Sequence, residues 1–408
     1  MSMIRPFKAL RPQPGNVERV SAVPYDVVNT EEARAMAGDN TLSFLHVSRA
    51  EIDLPSSTDP YSDAVYSRAF QNFSRLRAEA PLVVEETPSL YFYRLRMGSH
   101  EQTGLAACYS VDEYDSGMIK KHEKTRRDKE DDRTRHISTL RAQTGPVFLT
   151  YHASRAVDAI AAHVTAGAPL FDFESADKVR HVVWRVVGAD ADALVRAFAE
   201  LPCLYIADGH HRAASAARTR KYLAELEPGV PHPEADWMLA VAFPDNQTAI
   251  MPYNRVVKDL GSYTPETLLA ALREKLAVTE GPASPAAKGQ VSTYLGGRWY
   301  TIALRPPAAG AGDVGSTLDV SLLQAQVLTP FLGVGDPRTD KRIDFVGGIR
   351  GTGELERLVR EGKAAVAFSM FPVGVDDLMR IADAGEIMPP KSTWFEPKLR
   401  DGLLSHLI

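Results

Sequence analysis

Residues 201–216 read LPCLYIADGHHRAASA. The apolar run LPCLYIA has the length and composition of a buried strand. It stops at an acid, a glycine, two adjacent histidines and an arginine, and an alanine-rich helical pattern follows. Gly209 suits a sharp strand-to-helix turn because, lacking a Cβ, it adopts backbone angles that other residues resist. A helix opening there leaves backbone N–H groups without intrahelical partners and presents the positive end of its dipole, a ready site for an anion. Arg212 adds a planar cationic fork suited to phosphate oxygens. Asp208, at the strand end, is placed to ligate Mg2+ or to orient a neighbouring imidazole. Adjacent helical residues project about 100° apart, so His210 and His211 are expected to do different jobs. The plainer alternative is that Asp208 caps the helix and the histidines fill polar positions beside it. A Walker A loop and a dinucleotide fingerprint are excluded, since both need more glycines.

Strands and helices alternate on both sides of this turn. Before it, the pattern gives a short strand at 20–28, a short helix at 30–38 and a strand at 40–49. A helix follows at 63–80, with Val65, Ala69, Phe73 and Leu76 at helical spacing. Two strand-like runs at 89–98 and 101–111 form a candidate hairpin, and 151–200 reads as helix, strand, helix. After the turn come strands at 237–244 and 251–257, then alternating helices (264–276, 320–332, 354–362, 375–385) and strands (298–304, 343–348, 364–372). Stretches 281–290 and 305–317 have loop composition, and no internal repeat is present. The fold class expected is mixed α+β.

The chain of 408 residues is 44% hydrophobic and 24% charged, the composition of an ordinary globular protein of more than one domain. A net charge of -5 argues against a broad nucleic-acid surface. Cys108 and Cys203, far apart in apolar surroundings, read as buried thiols of a reducing compartment. The first residues lack a signal-peptide core and no run approaches a membrane span, so a cytoplasmic protein is expected.

Three other stretches carry candidate chemistry. Residues 120–136, KKHEKTRRDKEDDRTRH, contain no hydrophobic residue and suit a helix. On it His122, Arg126, Lys129, Arg133 and His136, spaced by four, three, four and three, would form one basic stripe. Such a stripe either pairs with Glu123, Glu130 and Asp131 in solvent or faces a polyanion. The His122-Glu123 pair is not a zinc-protease motif, since Arg126 stands where a second histidine is needed. Residues 385–397, GEIMPPKSTWFEP, hold Lys391, Ser392 and Thr393 in an extended segment that its prolines keep from being helical. Their plainer reading is a loop anchored by Trp394 and Phe395. In VGGIRGTGE, around Arg350, a packing turn explains the glycines at least as well as a phosphate loop.

Together these islands resemble the free-serine kinases of the ParB/sulfiredoxin superfamily. His122-Glu123 is similar to their His-Glu dipeptide at the head of a helix, and Asp208-Gly209-His210-His211-Arg212 to their Asp-Gly-His-His-Arg turn. Gly385-Glu386, with Pro390-Lys391-Ser392-Thr393, is similar to their late Gly-Glu and Pro-Lys-Ser/Thr-Thr segment. The chain also resembles a bacterial family catalogued as a domain of unknown function, through its PYDVV, HEKT and MPPKSTWFEPKL signatures. The likeness covers short islands within about 118–408. It implies a ParB/sulfiredoxin-like core at 116–258 and a C-terminal α/β region at 259–408 that closes the site; residues 1–115 have no counterpart in it and are expected to form an N-terminal α/β region.

What the resemblance implies chemically is phosphoryl transfer to or from the hydroxyl of free L-serine, giving O-phosphoserine. Glu123 is the implied general base and Asp208 the second acid, positioning the hydroxyl or Mg2+. His122, Arg126, Gly209, His210, His211 and Arg212 would hold the donor phosphate, and Lys391, Ser392 and Thr393 the substrate. The donor is left open among ADP, ATP and pyrophosphate. Two alternatives stand beside it: a metal-dependent phosphohydrolase using Asp208, His210 and His211 as ligands, and a nucleotide-gated binding protein of the same scaffold. No nucleic-acid or membrane partner is expected.

Overall fold

The computed structural model describes residues 3–79, 82–307 and 313–408. The chain forms two compact units, Met1–Thr248 with Pro397–Ile408, and Ala249–Glu396. The boundaries expected at 115/116 and 258/259 do not coincide with this division. Strand His100–Ser110 pairs along most of its length with Trp237–Pro244, so residues on both sides of 115 share one sheet. Part of the loop-like stretch 305–317, residues 308–312, lies outside the described residues.

The first unit is built on a nine-stranded mixed sheet. Its order runs Ile119–Lys120, Leu204–Asp208, Val147–Tyr151, Trp237–Pro244, His100–Ser110, Leu90–Met97, Val179–Val186 and Phe171–Glu174, with Ile4–Arg5 also pairing on His100–Ser110. The hairpin expected at 89–111 is present, antiparallel from Tyr91↔Ala106 to Met97↔His100. Helix His210–Leu226 buries Ala213, Ala214, Ala216 and Ala217, and these join a core with Leu105, Tyr109, Leu149 and Ile206. Alanine is a strong helix former with almost no side chain, so this helix lies close against the apolar strands. Helix Asp63–Glu79 buries the four residues whose spacing marked it, in a second core with Phe44, Leu45 and Val47. The last residues are woven into the same unit: His406–Leu407 pairs with Ala142–Gln143, and Asp401 bridges to Ala22.

Three readings from pattern change. Residues 40–49 contain helix Leu45–Ser48, not a strand; the run is short enough that its apolar residues fit either period. At 20–28 the end of helix Val17–Val20 gives way to an isolated bridge at Ala22 and a turn, where Pro24 supplies no N–H for a ladder. Val147–Tyr151, buried throughout, is an additional strand between two partners of the sheet.

The second unit carries a six-stranded antiparallel sheet ordered Ala277–Glu280, Arg298–Ala303, Gln290–Leu295, Val366–Met370, Tyr253–Val257 and Ile343–Gly347. Val256, Tyr294, Val346, Leu355 and Ala367 form its core. The helix expected at 320–332 is continuous in path from Asp319 but has a π-helical stretch, Gln324–Leu328, at its centre. Both cysteines are buried and unbridged. Among the described residues no helix is long and apolar enough to cross a membrane. The architecture is mixed α+β.

Candidate active site

Strand Leu204–Asp208 ends in a register irregularity between Ile206 and Asp208, which bends the chain into the turn. Gly209 has φ +92°, in the left-handed region that L side chains rarely adopt, and is the N-cap of helix His210–Leu226. Its amide donates to Asp208 Oδ1 at 3.0 Å. Asp208 therefore holds the turn but does not cap the helix. Among the described residues no side chain caps that N-terminus, so the first-turn amides retain their capacity for an anion.

The second contributor is the loop that precedes helix Arg127–Leu140. The helix starts at Arg127, not at the His122-Glu123 pair, so the basic stripe expected over 122–136 does not form. His122 is buried in the loop and Arg126 is the N-cap. Farther along, Arg133 turns inward onto the Tyr25 ring at 4.1 Å, and His136 Nε2 lies 3.0 Å from the Val47 carbonyl. Of the stripe, Lys129 faces outward and reaches Tyr61 Oη at 2.7 Å. The helix is fixed against His210–Leu226 by Ser215 Oγ donating to the Glu130 carbonyl at 3.2 Å and by Arg218 pairing with Glu130 and Asp131.

These two elements bring the predicted residues together. Glu123 Oε2 lies 3.9 Å from His210 Nδ1; the carboxylate side chain is 48% exposed and the imidazole 4%. The His122 amide donates to His210 Nε2 at 3.4 Å, and the two rings meet edge to face with centroids 4.4 Å apart. The Arg126 amide donates to His211 Nε2 at 3.0 Å. The histidines thus have separate roles: His210 lies under Glu123, and His211 pins the loop to the helix N-terminus. Burial drives all three histidines toward the neutral form. His122 is lowered to about 4, His210 falls well below the ordinary value with His122 adding to the effect, and His211 shifts down too.

Asp208 is the electrostatic hub. Lys398 Nζ lies 3.1 Å from its Oδ2, and Arg212 Nη2 lies 3.4 Å from the same oxygen. Burial opposes its charge, but Lys398 and Arg212 prevail and hold its pKa well below the carboxylate range. Arg212 is not presented for ligand. Its buried guanidinium donates to the Pro146 carbonyl and approaches Asp26 Oδ2 at 3.7 Å, so it braces the turn from beneath. The exposed Arg126 side chain pairs with Asp128 at 2.7 Å.

Lys398, Asp26 and Asp401 are the site's additions to the sequence reading. Lys398 and Asp401 arrive on the last segment of the chain, and nothing in local pattern links them to a turn so far upstream. Asp401 is buried beside Gly145, where a Cβ would stand 2.6 Å from Asp401 Oδ1. Burial raises its carboxyl to about 7; Arg212 pulls the other way and Asp26 adds to the rise.

Among the described residues, the cluster with metal-ligand spacing is His122, Glu123 and His210, whose ligand atoms lie within 4.8 Å of one another. Asp208, expected as the metal ligand, is outside it, an ionised carboxylate whose charge Lys398 and Arg212 balance. Lys391, Ser392 and Thr393 belong to the second unit. There Lys391 has φ 58°, its carbonyl accepts from Arg255 Nη2 at 3.1 Å, and its Nζ lies 5.5 Å from the Tyr253 ring centroid. Ser392 Oγ donates to the Pro389 carbonyl at 2.7 Å.

Similar solved structures include one described as a free serine kinase in complex with AMP, 13% identical, covering 71% of this chain and 86% of that one with a TM-score of 0.35. Another is SbnI with a C-terminal truncation from Staphylococcus aureus, 13% identical over 72% of this chain and 85% of that one, TM-score 0.37. A conserved hypothetical protein from Pyrococcus furiosus is 15% identical over 72% and 93%, TM-score 0.34. No curated protein matches the chain. The model of the family described as "Protein of unknown function (DUF1015)" matches residues 4–321, and the chain belongs to that family.

Proposed function

We propose that the chain is a small-molecule phosphotransferase that moves a phosphoryl group between a donor and the hydroxyl of free L-serine, with O-phosphoserine as the other product. The observation that carries this reading is the approach of Glu123 to the turn at 208–212, two stretches that sequence resemblance alone had paired. A serine hydroxyl is too weak an acid to ionise at neutral pH, so a base must take its proton as the new P–O bond forms. Glu123 is that base, a half-exposed carboxylate beside the turn.

In the forward step the serine oxygen bonds to the donor's terminal phosphorus. The bond from that phosphorus to the bridging oxygen breaks, and the donor leaves one phosphate shorter. The hydroxyl proton passes to Glu123. The first-turn amides of helix His210–Leu226, with the helix dipole, face the charge of the transferring group. Lys398 supplies the nearby cation, while Arg212 keeps Asp208 ionised and the turn rigid.

Mg2+ is the expected companion of the donor, neutralising charge on its phosphates. It takes oxygen ligands and is commonly held by one or two carboxylates together with substrate phosphates. Asp208 has that chemistry through Oδ1, the oxygen not shared with Lys398 and Arg212. The donor remains ADP, ATP or pyrophosphate.

The test is incubation of purified protein with L-serine, Mg2+ and each donor in turn, followed by mass analysis for O-phosphoserine. Product with at least one donor supports the proposal; none with any donor, in either direction, overturns it.

A further inference from the structure

We propose that His122, Glu123 and His210 form a binding site for a borderline divalent transition ion of the Zn2+ class, and that this ion competes with the proton-accepting role of Glu123. The competition rests on the phosphotransferase reading; the binding does not.

Three features point to an ion. The first is spacing. Ligands of one tetrahedral zinc, each about 2.0–2.2 Å from it, lie roughly 3.3–3.6 Å apart. Glu123 and His210 already stand 3.9 Å apart, and all three ligand atoms fall within 4.8 Å, so movements on the order of 1 Å close the site. Glu123 is half-exposed on a loop, which gives an ion a route from solvent.

The second feature is His122. It is 2% exposed; one ring nitrogen is drawn to the Ile206 carbonyl without a hydrogen bond of full geometry, and the other has no partner among the described residues. A buried ring nitrogen without a partner costs free energy unless something compensates. Its ring meets His210 edge to face, and one of its ring nitrogens lies within 4.8 Å of the other two ligand atoms. A bound cation supplies the missing partner.

The third feature is ligand chemistry. Two imidazole nitrogens and one carboxylate suit Zn2+, Co2+ or Ni2+, whereas Mg2+ and Ca2+ take all-oxygen shells. His210 would present Nδ1 and carry its proton on Nε2. That gives up the contact from the His122 amide, which at 3.4 Å is already a weak hydrogen bond. Three protein ligands leave a fourth position for water or an anionic oxygen. A carboxylate oxygen bound to a dication no longer accepts a proton readily, so the ion and the base role exclude each other.

The experiment uses the full chain without an affinity tag, stripped by chelator. Equilibrium dialysis with Zn2+ is expected to give one ion per chain, and Co2+ to give the visible absorption of a four-coordinate nitrogen/oxygen site. Glu123→Gln and His122→Gln should each weaken binding at least ten-fold, while His152→Ala, at an exposed histidine paired with Asp245, should leave it unchanged. Glu123→Gln keeps the test decisive if the buried His122 variant fails to fold. No stoichiometric ion, or binding that survives Glu123→Gln, overturns the site. In the activity arm, Zn2+ should suppress phosphoserine formation in Mg2+ and chelator should restore it; stimulation by Zn2+ overturns the competition. If no phosphoserine forms under any condition, the competition falls with the kinase reading, and the dialysis still decides the site.

Discussion

Glu123 Oε2 lies 3.9 Å from Nδ1 of His210, joining a loop in front of one helix to the first turn of another. The separation exceeds hydrogen-bond length, so the carboxylate leans over the imidazole without being locked to it. Burial holds His122 at about 4 and His210 well below its ordinary value, and both stay neutral through the physiological range. The pH profile of kcat/KM is therefore predicted to lack an inflection near about 6.5, the ordinary histidine value, arising from this pair. An inflection there that disappears in His210→Gln would contradict the assignment.

Gly209→Ala tests the turn. At φ +92° an L side chain costs about 1–2 kcal/mol, and the new Cβ would meet Arg212 Cζ at 3.0 Å. Urea denaturation should show a loss of at least that size, with a matching fall in activity. A variant as stable as the parent would mean that the turn relaxes freely.

Lys398→Met tests the cation that sequence pattern did not reveal. Lys398 is 14% exposed, and its removal leaves Asp208 with Arg212 as its remaining close cation. A loss of about 1–3 kcal/mol is expected for a hydrogen bond to a charged group in this setting. The Asp208 pKa should rise, and kcat should drop. Unchanged stability and turnover would remove Lys398 from the site.

Asp401→Asn tests the buried carboxyl beneath the turn. Its folded pKa, about 7, stands above the ordinary 3.8. A raised carboxyl contributes stability fully below the unfolded value and loses it as pH rises through the folded one. From about pH 4 to about pH 7 the wild type should therefore lose stability relative to Asp401→Asn, by up to about 1.4 kcal/mol per pH unit, and level off above that. His122, His136 and His406, each lowered to about 4 by burial, act with the opposite sign but are common to both proteins and cancel. Parallel pH curves would show that Asp401 does not titrate in this range.

The turn at 208–212 was legible because its signals are local: an apolar strand, a glycine and an alanine-rich helix follow one another in sequence. The meeting of Glu123 with His210 was legible only through resemblance, since no periodicity links residues so far apart. The helix start near Glu123 was misplaced for a tertiary reason. His122 is drawn into the core against His210, and His211 takes the Arg126 amide, so the chain turns into a helix only at Arg127. Composition favoured helix throughout 120–136, and packing overrode it at the front. Lys398 was beyond reach because its partner lies 190 positions away. The chemistry of Arg212 alone suggests a ligand group; its burial against Asp26 and Pro146 is a tertiary feature that local pattern does not carry.

The most direct measurement of the central claim compares wild type with Glu123→Gln in L-serine, Mg2+ and whichever donor the wild type accepts, following O-phosphoserine by mass while donor binding and melting temperature are recorded. The prediction is product from wild type, none from the variant, and donor binding and melting temperature alike in both, because the carboxylate is half-exposed and the change is isosteric. Equal turnover by the two proteins would contradict the account.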